Sequence, residues 1–305
     1  MKSSATTLIE NPSPAASARR AQNGAAPLVS DPAVIVFIVL FALLYVPVLF
    51  ETAKVWASDD NYSHGFLVLP VSMYILWMQR ERIKSAEKQP SLWGVIPLLI
   101  GLSLQVTSYI LSIKHIGMWS IVPTIAGAIL LLHGPALWKI CRFPVVFLLF
   151  AAPFSGMMLA SLTASLQVTS SAGSTGLMSA LGFTVLRHGN VIELPGAVLE
   201  IANACSGFHS IVSMLAFTFI YAYLFTENNL KRLLLIAITV PIALAANIAR
   251  ISILILAATY GGMNGYHMFH DPAAIGEILV DFTILVFIGR LMGCNNLRFA
   301  PQSAA

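Results

Sequence analysis

Apolar residues in this chain come in long unbroken runs separated by short polar joints. Runs at 32–50, 64–79, 92–112, 118–137, 143–165, 205–226, 233–258 and 277–293 approach the length, about twenty residues, that carries a helix across a hydrocarbon core of about 30 Å. Inside that core every backbone N–H and C=O must be bonded internally, so crossing elements are helices or a closed barrel. The runs are continuous rather than alternating, which predicts helices. The pattern therefore predicts an all-α polytopic membrane protein with about eight transmembrane helices. Pro153 and Gly156 interrupt the fifth run, which predicts a kinked or re-entrant segment and leaves the count at seven or eight.

One stretch departs from this pattern. Residues 182–202 alternate apolar and polar around Gly189-Asn190 and Pro195-Gly196, the signature of a short β-hairpin or meander just before the sixth run. Residues 1–31 are rich in Ala, Ser and Pro without apolar periodicity and read as a disordered tail. The expected organisation is thus a tail at 1–31, a transmembrane domain at 32–293 and a second tail at 294–305. The first run lies late, is long and lacks a small-residue cleavage site, so a retained anchor is expected rather than a signal peptide. No internal repeat is evident, which disfavours a transporter built from two similar halves.

Composition agrees with the bilayer reading. Of 305 residues, 57% are hydrophobic and 10% charged, against about 25% charged in soluble domains. The net charge of +4 does not form a basic face, so no nucleic-acid partner is expected. Its placement instead sets orientation. Lys54, Lys114, Arg187 and Arg250 fall at one set of span ends, and every other Lys and Arg of the 17 at the opposite set. The richer set, with both termini, is expected on the cytoplasmic side.

Candidate chemistry gathers at the other face. Cys141 and Cys294 fall at expected cytoplasmic ends, whereas Cys205 stands at the outer mouth of the sixth run without a partner cysteine on its side. It lies in Asn203-Ala204-Cys205-Ser206-Gly207, where the β-like stretch turns into a helix. A thiol at a helix N-terminus is biased toward thiolate. Arg250 sits within an apolar helix near its outer end, where a cation is costly and faces a partner, a cavity or an anion. An outer loop, Tyr266-His267-Met268-Phe269-His270-Asp271-Pro272, supplies two histidines, and His209 lies one helical turn after Cys205. Each is a candidate base near neutral pH. His267, His270, Asp271 and Glu277 also cluster in sequence, but His-x-x-His is a weak spacing and no second cluster completes a metal site; neither metal nor cofactor is expected. One cysteine, one intramembrane arginine and outer histidines form the inventory of a cysteine acyl-transfer site: nucleophile, oxyanion cation and base.

These residues resemble a known family. Asn61-Tyr62-Ser63-His64-Gly65-Phe66-Leu67-Val68-Leu69-Pro70 is similar to the opening signature of the exosortases. Gly189-Asn190-Val191-Ile192-Glu193-Leu194-Pro195-Gly196 leading into Ala204-Cys205-Ser206-Gly207 resembles their nucleophile region. Asn247-Ile248-Ala249-Arg250-Ile251 resembles their arginine motif, and the late His270 their histidine motif. The resemblance implies a bacterial inner-membrane cysteine peptidase or transpeptidase with its site on the extracytoplasmic face. It implies substrates that are secreted proteins with a C-terminal signal: a Pro-Glu-Pro-like motif, one transmembrane helix and a basic tail. It also implies catalytic roles for Cys205, Arg250 and His270, with His267 and His209 as alternatives for the base and His64 as a further candidate. The competing reading is a non-enzymatic transporter or an assembly factor for exopolysaccharide export. A serine peptidase using Ser206 is disfavoured by the adjacent Cys205 and the lack of a clear serine–base pairing.

Overall fold

The structure, a computed structural model, describes residues 32–200, 207–295, 297 and 298; the side chain of Asp60 is not described. Both expected tails and the stretch 201–206, with Cys205, lie outside the described residues, apart from the first positions of the second tail.

The first helix, α1 (Pro32–Ser58), opens on a proline, which is tolerated at a first turn that needs no N–H. Most of its surface is apolar and exposed, as expected of a face turned to lipid. Its buried positions, Tyr45, Thr52 and Trp56, fall on one helical stripe. Two further helices, α4 (Val95–Leu111) and α5 (Lys114–Leu132), form a tight antiparallel pair. Glycines let their backbones touch: a Cβ on Gly101 would lie 2.1 Å from Thr124 Oγ1, and one on Gly127 would lie 2.4 Å from Leu98 N. Small residues at such contacts are the usual way spanning helices approach closely. The stripe of α1 docks on this pair through Tyr45, whose hydroxyl is 2.9 Å from Ser120 Oγ and 2.7 Å from Thr124 Oγ1. Both partner hydroxyls also bond carbonyls of their own helix. Tyr45→Phe is therefore expected to cost only about 1 kcal/mol, one buried hydrogen-bonding group, in a detergent unfolding titration; a loss of several kcal/mol would show that Tyr45 holds more than this junction.

Between α1 and α4 lie the short apolar α2 (Gly65–Met78) and the charged turn α3 (Arg80–Lys84). The sixth helix, α6 (Pro135–Phe147), runs into a 3₁₀ turn at Leu148–Ala151. Pro153 then stops the helical ladder, and α7 (Gly156–Ala180) leaves at 81° with Ser155 Oγ accepting from Met158 N. The predicted break is thus present.

The meander is three-stranded and antiparallel, in the order β1 (Leu186–His188), β2 (Val191–Leu194), β3 (Ala197–Glu200). Ile192 pairs with Leu199 in register, and with Leu194 they turn one face onto Met178, Ile251 and Ile255. After the undescribed stretch come α8 (Phe208–Phe225) and α9 (Asn229–Leu291). The latter is two helical arms joined at Gly262, whose φ of 60° and ψ of −155° lie outside helical space. Close contact of the arms is marked by Gly265, where a Cβ would lie 2.3 Å from Ala257 O.

Two expectations are corrected here. The stretch around Tyr266 to Pro272 is not a loop but the beginning of the second helical arm, because Gly262 alone takes the turn and Pro272 is accommodated inside the helix. The count of eight spans is not confirmed either. Among the described residues five helices are long and apolar enough to cross a membrane, six if the bent α6–α7 pair is one span. The expected second span is the 14-residue α2, too short by that measure, and the expected seventh and eighth fall on the two arms of α9, which count together as one helix here.

Candidate active site

The kink at Gly262 folds the second arm of α9 back along the first. Arg250 and Glu277, 27 positions apart, thereby meet with Arg250 Nη1 donating to Glu277 Oε2 at 3.2 Å. Their side chains are 7% and 1% exposed. A buried cation and anion demand each other, since either alone would lack the solvation that water supplies. Ser210, in the first turn of α8, is a near neighbour of the same carboxylate, whose Oε1 has no hydrogen-bond partner among the described residues. Asp281, one turn beyond Glu277, is fully buried as well, and neither of its oxygens is hydrogen-bonded among the described residues.

One turn before Arg250, the fully buried Asn247 donates from Nδ2 to Ser170 Oγ of α7 at 2.9 Å. Its side chain also abuts Gly207, the residue that opens α8. Gly207 has φ +81°, and a Cβ there would lie 2.8 Å from Asn247 Nδ2. A left-handed residue costs a non-glycine roughly 1–2 kcal/mol even in open space. Gly207→Ala is expected to exceed that penalty in thermal unfolding, because Asn247 leaves no room; wild-type stability would show that the start of α8 shifts freely.

The opening signature packs nearby. His64 precedes α2 without making a capping bond; its Nε2 lies 3.0 Å from Phe150 O, in the 3₁₀ turn after α6. Its ring is 6.1 Å from that of His209 in the first turn of α8. Phe154 N donates to Tyr62 Oη at 3.2 Å, and Phe154 meets Phe208 edge-on at 5.9 Å. The tight sequence Asn61–Gly65 therefore braces both the α6–α7 break and the entry of α8.

The site residues named from sequence are placed as follows. Arg250 is buried against Glu277, and His209 stands beside His64. His270 is on the second arm of α9, 31% exposed, with Nδ1 2.9 Å from Asp271 Oδ1 and its ring 5.6 Å from Tyr266. It precedes Glu277 by seven positions, two helical turns or about 10 Å on one face. His267 is exposed and packs against Tyr266 at 5.4 Å. Cys205 lies outside the described residues. Glu277, grouped by sequence with His267, His270 and Asp271 as weak metal-ligand candidates, is instead the partner of Arg250.

Glu277, Ser210 and Asn247 were missed from sequence. The available signal was the helical spacing of Glu277 and Asp281 in an apolar stretch, two carboxylates with one intramembrane arginine to balance them.

Residues 56–288 match the family model described as Transmembrane exosortase. No curated protein and no solved structure matches the chain.

Proposed function

Because the chain belongs to the transmembrane exosortase family, we propose that it is a membrane cysteine peptidase or transpeptidase that cuts C-terminal sorting signals from secreted proteins. The observation that supports this reading is that the described residues on either side of the Cys205 segment pack on one stretch of α9. On one side, Leu199 of β3 packs with Ile251 and Ile255; on the other, Gly207 abuts Asn247. Arg250 stands between those contacts in sequence and on the same helix.

In this reading the Cys205 thiolate attacks the scissile carbonyl carbon. The guanidinium of Arg250, oriented by Glu277, balances charge on the tetrahedral oxyanion. A histidine, with His270 first and His209 and His267 as alternatives, accepts the thiol proton and delivers it to the leaving amine. The thioester formed at Cys205 passes to water or to an acceptor amine. The substrate's transmembrane helix docks laterally with its motif at the extracytoplasmic face, and Arg187, exposed on β1, or Arg250 reads the acidic residue of the motif. The site belongs to the inner membrane's outer face, on the argument that its cations are few and those of the opposite face many.

The test is co-expression with a secreted reporter bearing a Pro-Glu-Pro-like motif, a transmembrane helix and a basic tail. Wild type is expected to shorten the reporter and leave one lacking the motif intact. Equal processing in cells with and without the protein would overturn the proposal.

A further inference from the structure

A groove of about 780 Å³ runs between α2, α6 and α8. It extends from Tyr62 and His64 at one end of α2 to Gln79 and Arg82 beyond the other, about 22 Å at helical rise. Its length is lined by rings. Phe143 stacks on Tyr223 at 3.6 Å, Phe147 follows at 5.9 Å from Phe143, Phe150 at 5.5 Å from Phe147, and Phe219 lies 5.2 Å from Phe150.

The two ends differ sharply. The lower end collects Arg82, Lys139, Arg142, Arg232 and Arg298, whereas no Asp or Glu is among the described residues that line the groove. Arg142 and Arg298 both lie within electrostatic range of Arg232. Arg232 is spent on structure, donating to Thr226 O at the end of α8, and Arg298 pairs with Glu227 at 3.1 Å. Even so, five like charges converge from four separate segments on the mouth of an apolar channel. Glu227 offsets part of this charge at Arg298 and Arg232, and the remaining excess of cations favours a further anion among them.

We propose that this groove is a binding site for an anionic glycerophospholipid, its phosphate held by the Arg82, Lys139, Arg142 and Arg298 cluster and one acyl chain lying along the phenylalanine column. Basic pockets between spanning helices suit anionic headgroups. One leaflet's share of the hydrocarbon core is about 15 Å, so the channel accommodates a full tail with the headgroup at its mouth. The substrate's own helix is a poor fit. Its basic tail would be brought against these cations, which repel it. The groove shares His64 with the candidate active site at its far end, but the lipid reading does not rest on the peptidase reading.

The measurement is equilibrium binding of labelled phosphatidylglycerol and phosphatidylcholine to the delipidated full-length protein in detergent. Wild type is expected to prefer phosphatidylglycerol at least tenfold. The double variant Lys139→Gln/Arg142→Gln is expected to bring the preference below twofold with unchanged thermal unfolding. Val212→Phe, which narrows the channel without touching the cations, is expected to weaken phosphatidylglycerol at least fivefold. Equal affinity for the two lipids, or no effect of both variants, would overturn the site. So would displacement of phosphatidylglycerol by millimolar inorganic phosphate, by a polyprenyl phosphate at lower concentration, or by a transmembrane peptide with a basic tail.

Discussion

Cys205→Ala is expected to leave the sorting-signal reporter at full length while the variant accumulates in the membrane like wild type. Alanine removes the atom that would carry the acyl group, and no neighbouring group replaces it in the proposed mechanism. Losing a nucleophile typically costs about 10⁴-fold or more in turnover, since only the oxyanion stabilisation and binding survive. Cys205→Ser is expected to be nearly as inactive. A hydroxyl is a weak nucleophile at its free pKa and needs a base matched to it, whereas a thiol is already partly ionised near neutrality. Anti-reporter blots from cells expressing each variant at equal level read both outcomes. Processing by Cys205→Ala within tenfold of wild type would remove the thiol from the mechanism, and the family membership would then have to be reconciled with another nucleophile.

Removing the guanidinium of Arg250 should damage the fold as well as the chemistry. Glu277 is 5% exposed and takes its hydrogen bond from Arg250, so Arg250→Ala strands a buried carboxylate beside a second one at Asp281. Breaking a buried pair from one side typically costs about 3–5 kcal/mol. The stability loss is expected to reverse in large part in the double variant Arg250→Met/Glu277→Gln, because neither remaining side chain is charged and both keep similar volume. Processing is not expected to return. A detergent unfolding titration follows the first effect and the reporter blot the second. If the double variant regained processing, Arg250 would be a structural cation only. If it stayed as unstable as Arg250→Ala, the pair would contribute no coupling and Glu277 would not be its partner.

The two arms of α9 show what could be read from residues and what could not. Apolar runs on either side of the Tyr266–Pro272 stretch were plain, and an outward turn between them was required. The turn itself was expected to be a loop of several residues. Gly262 alone makes it, since only a residue without Cβ readily adopts φ 60° with ψ near −155°. His267 and His270 consequently stand on a helix rather than in a mobile loop, with His270 two turns above Glu277. The β-like segment, by contrast, was legible as a hairpin or meander because period-2 alternation and glycine turns are local signals, and the packed structure settles it as three strands. The helix break at Pro153 was legible for the same reason.

Residue patterns alone were enough for the helical membrane-embedded fold and the small sheet before α8, and they singled out Cys205, Arg250 and the histidines as candidates for chemistry. Those properties follow from local patterns and from the solvent that apolar runs require. The partnerships appear only in the packed molecule: Arg250 with Glu277, Gly207 against Asn247, His64 beside His209, and five cations around one groove. Each joins segments separated by tens of residues, and the burial that makes a charge pair obligatory or a glycine irreplaceable exists only after those segments have packed.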